Sequence, residues 1–262
     1  MSAARHPYFS RSRPRVLAHR GFLPPDEASD GAVENSFTAV AAAHAVGAEY
    51  VESDCHLTAD GVVVLFHDDD LSRVTGDPRA VAAVRHGELA RIMADRGGLL
   101  TAAEAFDAFP TLRFNLDVKA AAAALPLGRI VARHADRTLL TSFSDRRRRE
   151  ALEAAHAAGG RPATSGGQAT VARVLAAVTT GSTALVRAAL GGVDALQVPE
   201  RAGVVRVVTR RLLRLVHAAG AEVHVWTVND PDDMRRLLDL GVDGLVTDRA
   251  DLALGVVRRR AS

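Results

Sequence analysis

The chain has 262 residues, 48% of them hydrophobic and 24% charged, with 33 basic against 31 acidic side chains. That length and apolar share suit one large domain with a real core, and the near balance of charge, without a basic stripe interleaved with aromatics, excludes a nucleic-acid-binding protein. A single cysteine, Cys55, excludes an internal disulfide; no apolar run approaches a membrane span, and no apolar signal core follows the basic start. A cytoplasmic protein without stable membrane insertion is therefore expected.

Residues 1–14 read as a flexible N-terminal segment and 15–257 as one domain. From Arg15 onward, short apolar runs alternate with longer Ala/Leu/Arg-rich stretches. The strand candidates are RVLAH from Arg15, AEYVESD from Ala48, LRFNLDVK from Leu112, TLLTSF from Thr138, RPATS from Arg161, DALQVP from Asp194, EVHVWTV from Glu222 and DGLVTD from Asp243. The spacing predicts helices over Ser36–Val46, Leu125–Ala135, Asp145–Ala158, Val171–Ala189 and Asp232–Leu240. Gly47, Gly159, Gly220 and Gly241 stand where left-handed helix caps belong. The run Arg146–Arg149 reads as a solvated helix face.

Strand–helix alternation without a composition break predicts the α/β class and a TIM-like (β/α)8 barrel. A doubly wound open sheet is the alternative, disfavoured because no glycine-rich phosphate loop follows the first strand. LTADGVVVLFHDD, after the second strand, breaks the alternation. Its Asp60-Gly61 pair predicts a tight hairpin, hence a small β-ribbon inserted at the barrel mouth, followed by an irregular loop with short helices over Thr75–Leu100.

Polar residues gather where these strands end. The first ends in His19-Arg20-Gly21, the second in Glu52-x-Asp54, the ribbon in His67-Asp68 and the third in Asp117-x-Lys119. Residues two apart share one face of a strand, so both spaced pairs can aim into one mouth. Three converging carboxylates repel unless a cation shares them, and such an oxygen-rich set suits Mg²⁺ or Ca²⁺. No Cys/His cluster with zinc spacing competes. A pair of histidines beside such a site can serve as general base and general acid. Arg20 offers a fork for phosphate, and Lys119, the only lysine in the chain, a compact point charge. Trp226 is core filler or an apolar wall for substrate. Glu34-Asn35 and Thr247-Asp248 also read as simple helix caps.

The ordered set HRG, EN, ESD and TADGVVVLFHDDDLSRVTG, with LDVK, TSFS and VWTVNDPDDMRRLLDLGVDGLVTDRADL beyond it, resembles the glycerophosphodiester phosphodiesterase family over about Arg15–Leu254. The resemblance implies a TIM-like barrel that uses a divalent cation to hydrolyse glycerophosphodiesters to glycerol 3-phosphate and an alcohol. By motif, His19 and His67 correspond to the acid/base pair, and Glu52, Asp54 and Asp117 to metal ligands. Arg20 and Lys119 correspond to phosphate contacts, and Glu34 to a residue that positions the metal, its ligands or a histidine. In the family's usual mechanism the glycerol 2-hydroxyl attacks phosphorus to give a cyclic phosphate that water then opens. Two departures stand out: Asp117 occupies a position where the family commonly has glutamate, and Ser144 replaces a common acidic residue. The same layout also occurs in phospholipase D-like enzymes acting on lysophospholipids or sphingomyelin, and a catalytically silent phosphodiester-binding barrel is a third reading.

Overall fold

The structure is a computed structural model that describes residues 6–24 and 30–261. In chain order the elements are β1 Arg15–His19, α1 Phe37–Ala45, β2 Tyr50–Leu57, β3 Val63–Leu65, α2 Ser72–Thr75, α3 His86–Met93, α4 Ala102–Ala108, β4 Arg113–Val118, α5 Ala124–Val131, β5 Thr138–Thr141 and α6 Asp145–Ala157. They continue as β6 Ala163–Gly166, α7 Gln168–Thr180, α8 Thr183–Leu190, β7 Ala195–Pro199, β8 Arg201–Ala202, β9 Val205–Arg206, α9 Arg210–Ala219, β10 Glu222–Trp226, α10 Pro231–Leu240, β11 Gly244–Thr247 and α11 Ala250–Ala261.

β1, β2, β4, β5, β6, β7, β10 and β11 pair in parallel, and the β1–β2 pairing closes the ring. This is the predicted (β/α)8 barrel, built from all eight predicted strands. β3 lies outside the ring, antiparallel to the far end of β2, with Cys55 opposite Leu65. The expected ribbon therefore forms, turning at Asp60-Gly61, where Gly61 has φ +82°. The stretch after it carries short helices, of which α3 is the longest.

Alternation along the strands divides the apolar residues between two cores. Outward side chains such as Val16, Ala18, Val51, Phe114 and Val223 pack under the helices. Inward ones, including Leu17, Tyr50, Leu139, Ala163, Ala195 and Val246, fill the barrel together with Tyr8 and Phe9. This placement corrects the reading of residues 1–14 as a flexible segment. Residues 1–5 lie outside the described residues, but Pro7–Phe9 forms a 3₁₀ turn with Tyr8 fully buried. Two aromatic rings in a chain poor in aromatics close the barrel floor. A third small core sits under the ribbon, formed by Val64, Phe66, Leu71, Val81, Val84, Leu89 and Met93.

Two further expectations are corrected. The helix predicted over Val171–Ala189 is two helices. Gly181, at φ +77°, ends α7, and the Ser182 hydroxyl accepts the Leu185 N–H at 3.3 Å to start α8. Arg211 reaches the Thr179 carbonyl and Arg187 the Ala218 carbonyl, so α8 runs beside α9 as the outer helix. That leaves the first turns of α7 free to line the mouth. In the arginine run, Arg148 is only 8% exposed and donates to Thr164 and Asp145, so that face is not uniformly solvated. The four glycines predicted as helix caps all have positive φ.

Candidate active site

A cavity of about 540 Å³ opens at the C-terminal ends of the strands. Its lining includes His19, Arg20, Glu52, Asp54, His67, Asp117, Lys119 and Trp226, which are all the residues singled out from the sequence except Glu34. Barrel register brings them together. His19 stands opposite Glu52 and Glu52 opposite Asn115, forming one row across β1, β2 and β4; Asp54 and Asp117 pair in the row above. The spaced carboxylates thus do face the interior.

The β1 end is shaped by local backbone. Arg20 holds φ +60° and Gly21 φ +91°. A Cβ on Gly21 would lie 2.6 Å from the carbonyl of Ala39, so only glycine lets the loop pass α1 this closely. Arg20 then donates its N–H to Glu52 and accepts that of Asn35, both at 2.8 Å. Helix α1 is capped by Ser36 and not, as expected, by Asn35. Asn35 is buried, at φ +60°. Its amide donates to Asp54 at 3.2 Å, and its carbonyl oxygen accepts the Ser53 hydroxyl.

Both histidines are oriented by carboxylates. His19 Nδ1 lies 2.6 Å from Asp248 Oδ1, and Asp248 Oδ2 accepts from Asn229 at 2.7 Å. Burial alone would raise the Asp248 pKa, but these hydrogen bonds hold it below its ordinary value. His67 Nδ1 lies 2.7 Å from Asp68 Oδ1, and Asp68 accepts from Arg73 at 2.6 Å. Against the same opposing effect of burial, His67 and Arg73 keep Asp68 low. An Nδ1–H donated to carboxylate leaves Nε2 of each ring available to a substrate. His56 steadies the second histidine from below, 3.2 Å from the His67 carbonyl.

The carboxylates are incompletely neutralised. Lys119 Nζ is 3.0 Å from both Asp54 Oδ1 and Asp117 Oδ2. Arg20 Nε comes within 3.2 Å of Asp54 Oδ2 without the alignment of a hydrogen bond. Glu52 Oε2 and Asp117 Oδ1 are buried without a hydrogen-bond partner. Burial first, then the charges of Asp54 and Asp117, push Glu52 well above the usual carboxylate range. Burial likewise raises Asp117, against Lys119 and with Asp54. Although burial opposes its charge, Lys119 is held above its ordinary pKa by the two aspartates. Two orphaned anionic oxygens at one cavity wall have the chemistry of a divalent-cation site. As placed, with Lys119 between Asp54 and Asp117, no three His, Cys, Asp or Glu side chains among the described residues converge on one point.

Glu34 accepts from Arg20 at 2.7 Å and Arg73 at 2.6 Å, so it ties the β1 loop to the ribbon from outside the cavity. Trp226 packs edge-on to Phe143, and together with Pro199 and with Val171, Ala172 and Leu175 of α7 it forms an apolar wall. Sequence reasoning missed Arg73 and Asn115, placed Asp68 at the rim without its role toward His67, and read Asp248 and Asn35 only as caps. Asp68 adjoins His67, and Asn115 lies two residues before Asp117 on the same strand face, so those two left a local signal.

The family model described as the glycerophosphoryl diester phosphodiesterase family matches residues 18–252. A Mycobacterium tuberculosis protein named "Probable glycerophosphodiester phosphodiesterase 2" is 38% identical over 249 residues, covering 94% of this chain and 91% of that protein. The glycerophosphodiester phosphodiesterase structure from Thermotoga maritima superposes with a TM-score of 0.69 at 25% identity, covering 95% of this chain and all of that one. A phosphodiesterase from Oleispira antarctica, solved in complex with the product sn-glycerol-3-phosphate, gives a TM-score of 0.68 at 22% identity over 94% and 97% of the two chains.

Proposed function

Since this chain belongs to the glycerophosphoryl diester phosphodiesterase family and is a phosphodiesterase of that kind, we propose that it releases glycerol 3-phosphate and an alcohol by acid–base catalysis between His19 and His67, with a divalent cation, Mg²⁺ or Ca²⁺, held by Glu52, Asp54 and Asp117. The observation that carries this reading is the pairing of two imidazoles, each tied through Nδ1 to a carboxylate, with a set of under-neutralised carboxylates in one cavity.

One imidazole Nε2 takes the proton of the glycerol 2-hydroxyl as its oxygen bonds to phosphorus. The other gives a proton to the departing alkoxide, so the alcohol leaves neutral. In the second half the roles reverse: a water loses its proton to the imidazole that acted as acid, and the 2-oxygen recovers one as the cyclic phosphate opens. Asp248 and Asp68 hold each ring in one tautomer and stabilise its charged form. Arg20 and Lys119 bind the non-bridging phosphate oxygens, with Glu34 fixing the direction of Arg20. The cation, when bound, supplies Lewis acidity at the phosphate and lowers the pKa of the attacking hydroxyl. The lone, buried Cys55 supports a cytoplasmic setting.

The test is glycerol 3-phosphate release from a panel of glycerophosphodiesters, with EDTA and then with Mg²⁺ or Ca²⁺ restored. Activity is expected to vanish with chelator and return with metal. Chelator-insensitive turnover would overturn the cation assignment, and no release from any diester would overturn the substrate class. The apolar wall favours a second reading, in which a lysophospholipid places its chain along Phe143, Trp226 and α7. A lysophosphatidate or a persistent cyclic phosphate among the products would select it.

A further inference from the structure

The ribbon between β7 and α9 takes no part in the proposed chemistry. Its base is fixed, since the N–H groups of Val207 and Val208 both donate to the Glu200 carbonyl, at 2.9 and 3.2 Å. The Glu200 carboxylate is gripped by Arg236 at 2.9 and 2.8 Å. Its tip is bare: Val204 is 94% exposed and Val205 60%, more than any other large apolar side chain described.

The charges on this ribbon are also unusual. Arg201 and Arg206 stand directly opposite each other in register, an arrangement that opposes folding of a two-stranded ribbon. Among the described residues, neither has a carboxylate at ion-pair distance, and nor do Arg210 and Arg214, exposed farther along. Residues 200–214 hold five arginines and one carboxylate, and that carboxylate is already held by Arg236. The ribbon starts at the rim, because Val198 and Pro199, just before it, line the cavity.

We infer that this ribbon docks the barrel mouth on an anionic lipid surface. An apolar tip flanked by unpaired arginines matches the layering of that surface: valines enter the acyl boundary while guanidinium groups meet phosphates at headgroup depth. With two valines and a few arginines the docking is reversible and weakened by salt, unlike insertion of a helix. It is independent of the hydrolytic reading and would place the cavity opening at the lipid–water boundary.

The test is sedimentation of the full chain with phosphatidylcholine vesicles and with phosphatidylcholine–phosphatidylglycerol vesicles. Binding to the anionic vesicles is expected to be about tenfold tighter or more and to fall with added salt. Val204→Asp/Val205→Asp and Arg201→Glu/Arg206→Glu should each remove most of it, with unchanged circular-dichroism melting and unchanged hydrolysis of a soluble diester. Equal partition to both vesicle types, or variants that bind like the parent, would overturn the inference. So would a self-association in sedimentation velocity that the valine variant abolishes while vesicle binding persists, because the tip would then serve a second copy of the chain.

Discussion

The floor and the mouth of the barrel treat buried charge in opposite ways. At the floor the Arg15 side chain is fully buried, and its guanidinium pairs with both oxygens of Glu222 at 2.9 Å. Its remaining donors go to Tyr50 Oη and to the carbonyls of Arg11 and Phe9, while His224 lies 2.9 Å from Glu222. At the mouth three carboxylates share Lys119 and Arg20, and two of their oxygens have no partner. A buried ion pair is tolerable when every donor and acceptor is used, and removing one partner is then costly. Charges left incompletely compensated in a cleft are the ones poised for a ligand. The floor holds the ring shut, and the mouth keeps attraction in reserve.

The sharpest break between the two regions is kinetic. His19→Ala and His67→Ala should each lower turnover by about 10²–10⁴-fold, with the melting temperature nearly unchanged. Near-parental rates in either variant would remove the acid–base pair. Arg15→Met should do the reverse. Leaving Glu222 buried and unpaired is expected to cost about 3–5 kcal/mol in denaturant unfolding, with activity per folded molecule retained.

Asp243, just before β11, tests the floor by pH. It accepts from Arg13, from His217 at 2.6 Å and from the Val223 N–H at 2.9 Å. Although burial opposes ionisation, these groups bring its pKa from 3.8 to about 2. The folded value lies below the unfolded one, so the contribution is complete above about pH 4 and is lost as pH falls through about 2. Asp243→Asn should therefore cost about 2 kcal/mol near neutrality and almost nothing in strong acid. A deficit independent of pH would point to packing instead of charge.

The smallest effect has the opposite sign. Burial and two neighbouring aspartates raise the Glu52 pKa, so its ionisation burdens the metal-free fold as pH rises above the ordinary carboxylate range. Glu52→Gln should stabilise that form near pH 7, read as a small rise in melting temperature that fades as the pH is lowered, while abolishing cation-dependent turnover. A lower melting temperature would mean that Glu52 is a floor-type residue placed at the mouth.

The eight strands were legible because each is a short apolar run ending in polar residues, and the carboxylate rows followed from the two-residue period of a strand. The partner of His19 was not. Asp248 lies at the far end of the chain and reaches β1 only because β11 closes the ring beside it. No local pattern carries that information. Arg148 looked solvated because four arginines in a row suggest an exposed face, yet a helix turns each by about 100°, so one of the four must meet the sheet. Tyr8 and Phe9 precede every predicted element, and a ring large enough to need a plug emerges only from the assembled barrel.

The small core under the ribbon has a bearing on how activity fails. His19 and the carboxylates stand on ring strands, whereas His67, Asp68 and Arg73 rest on the cluster of Val64, Phe66, Leu71, Val81, Val84, Leu89 and Met93, outside the ring. A unit with few apolar residues and one strand pairing to the ring opens at lower free energy than the barrel itself. On warming, the enzyme would lose one of the two histidines proposed as its proton carriers while the barrel remained closed, so inactivation would precede melting. Amide exchange would show the difference, with residues 63–93 exchanging ahead of the eight strands.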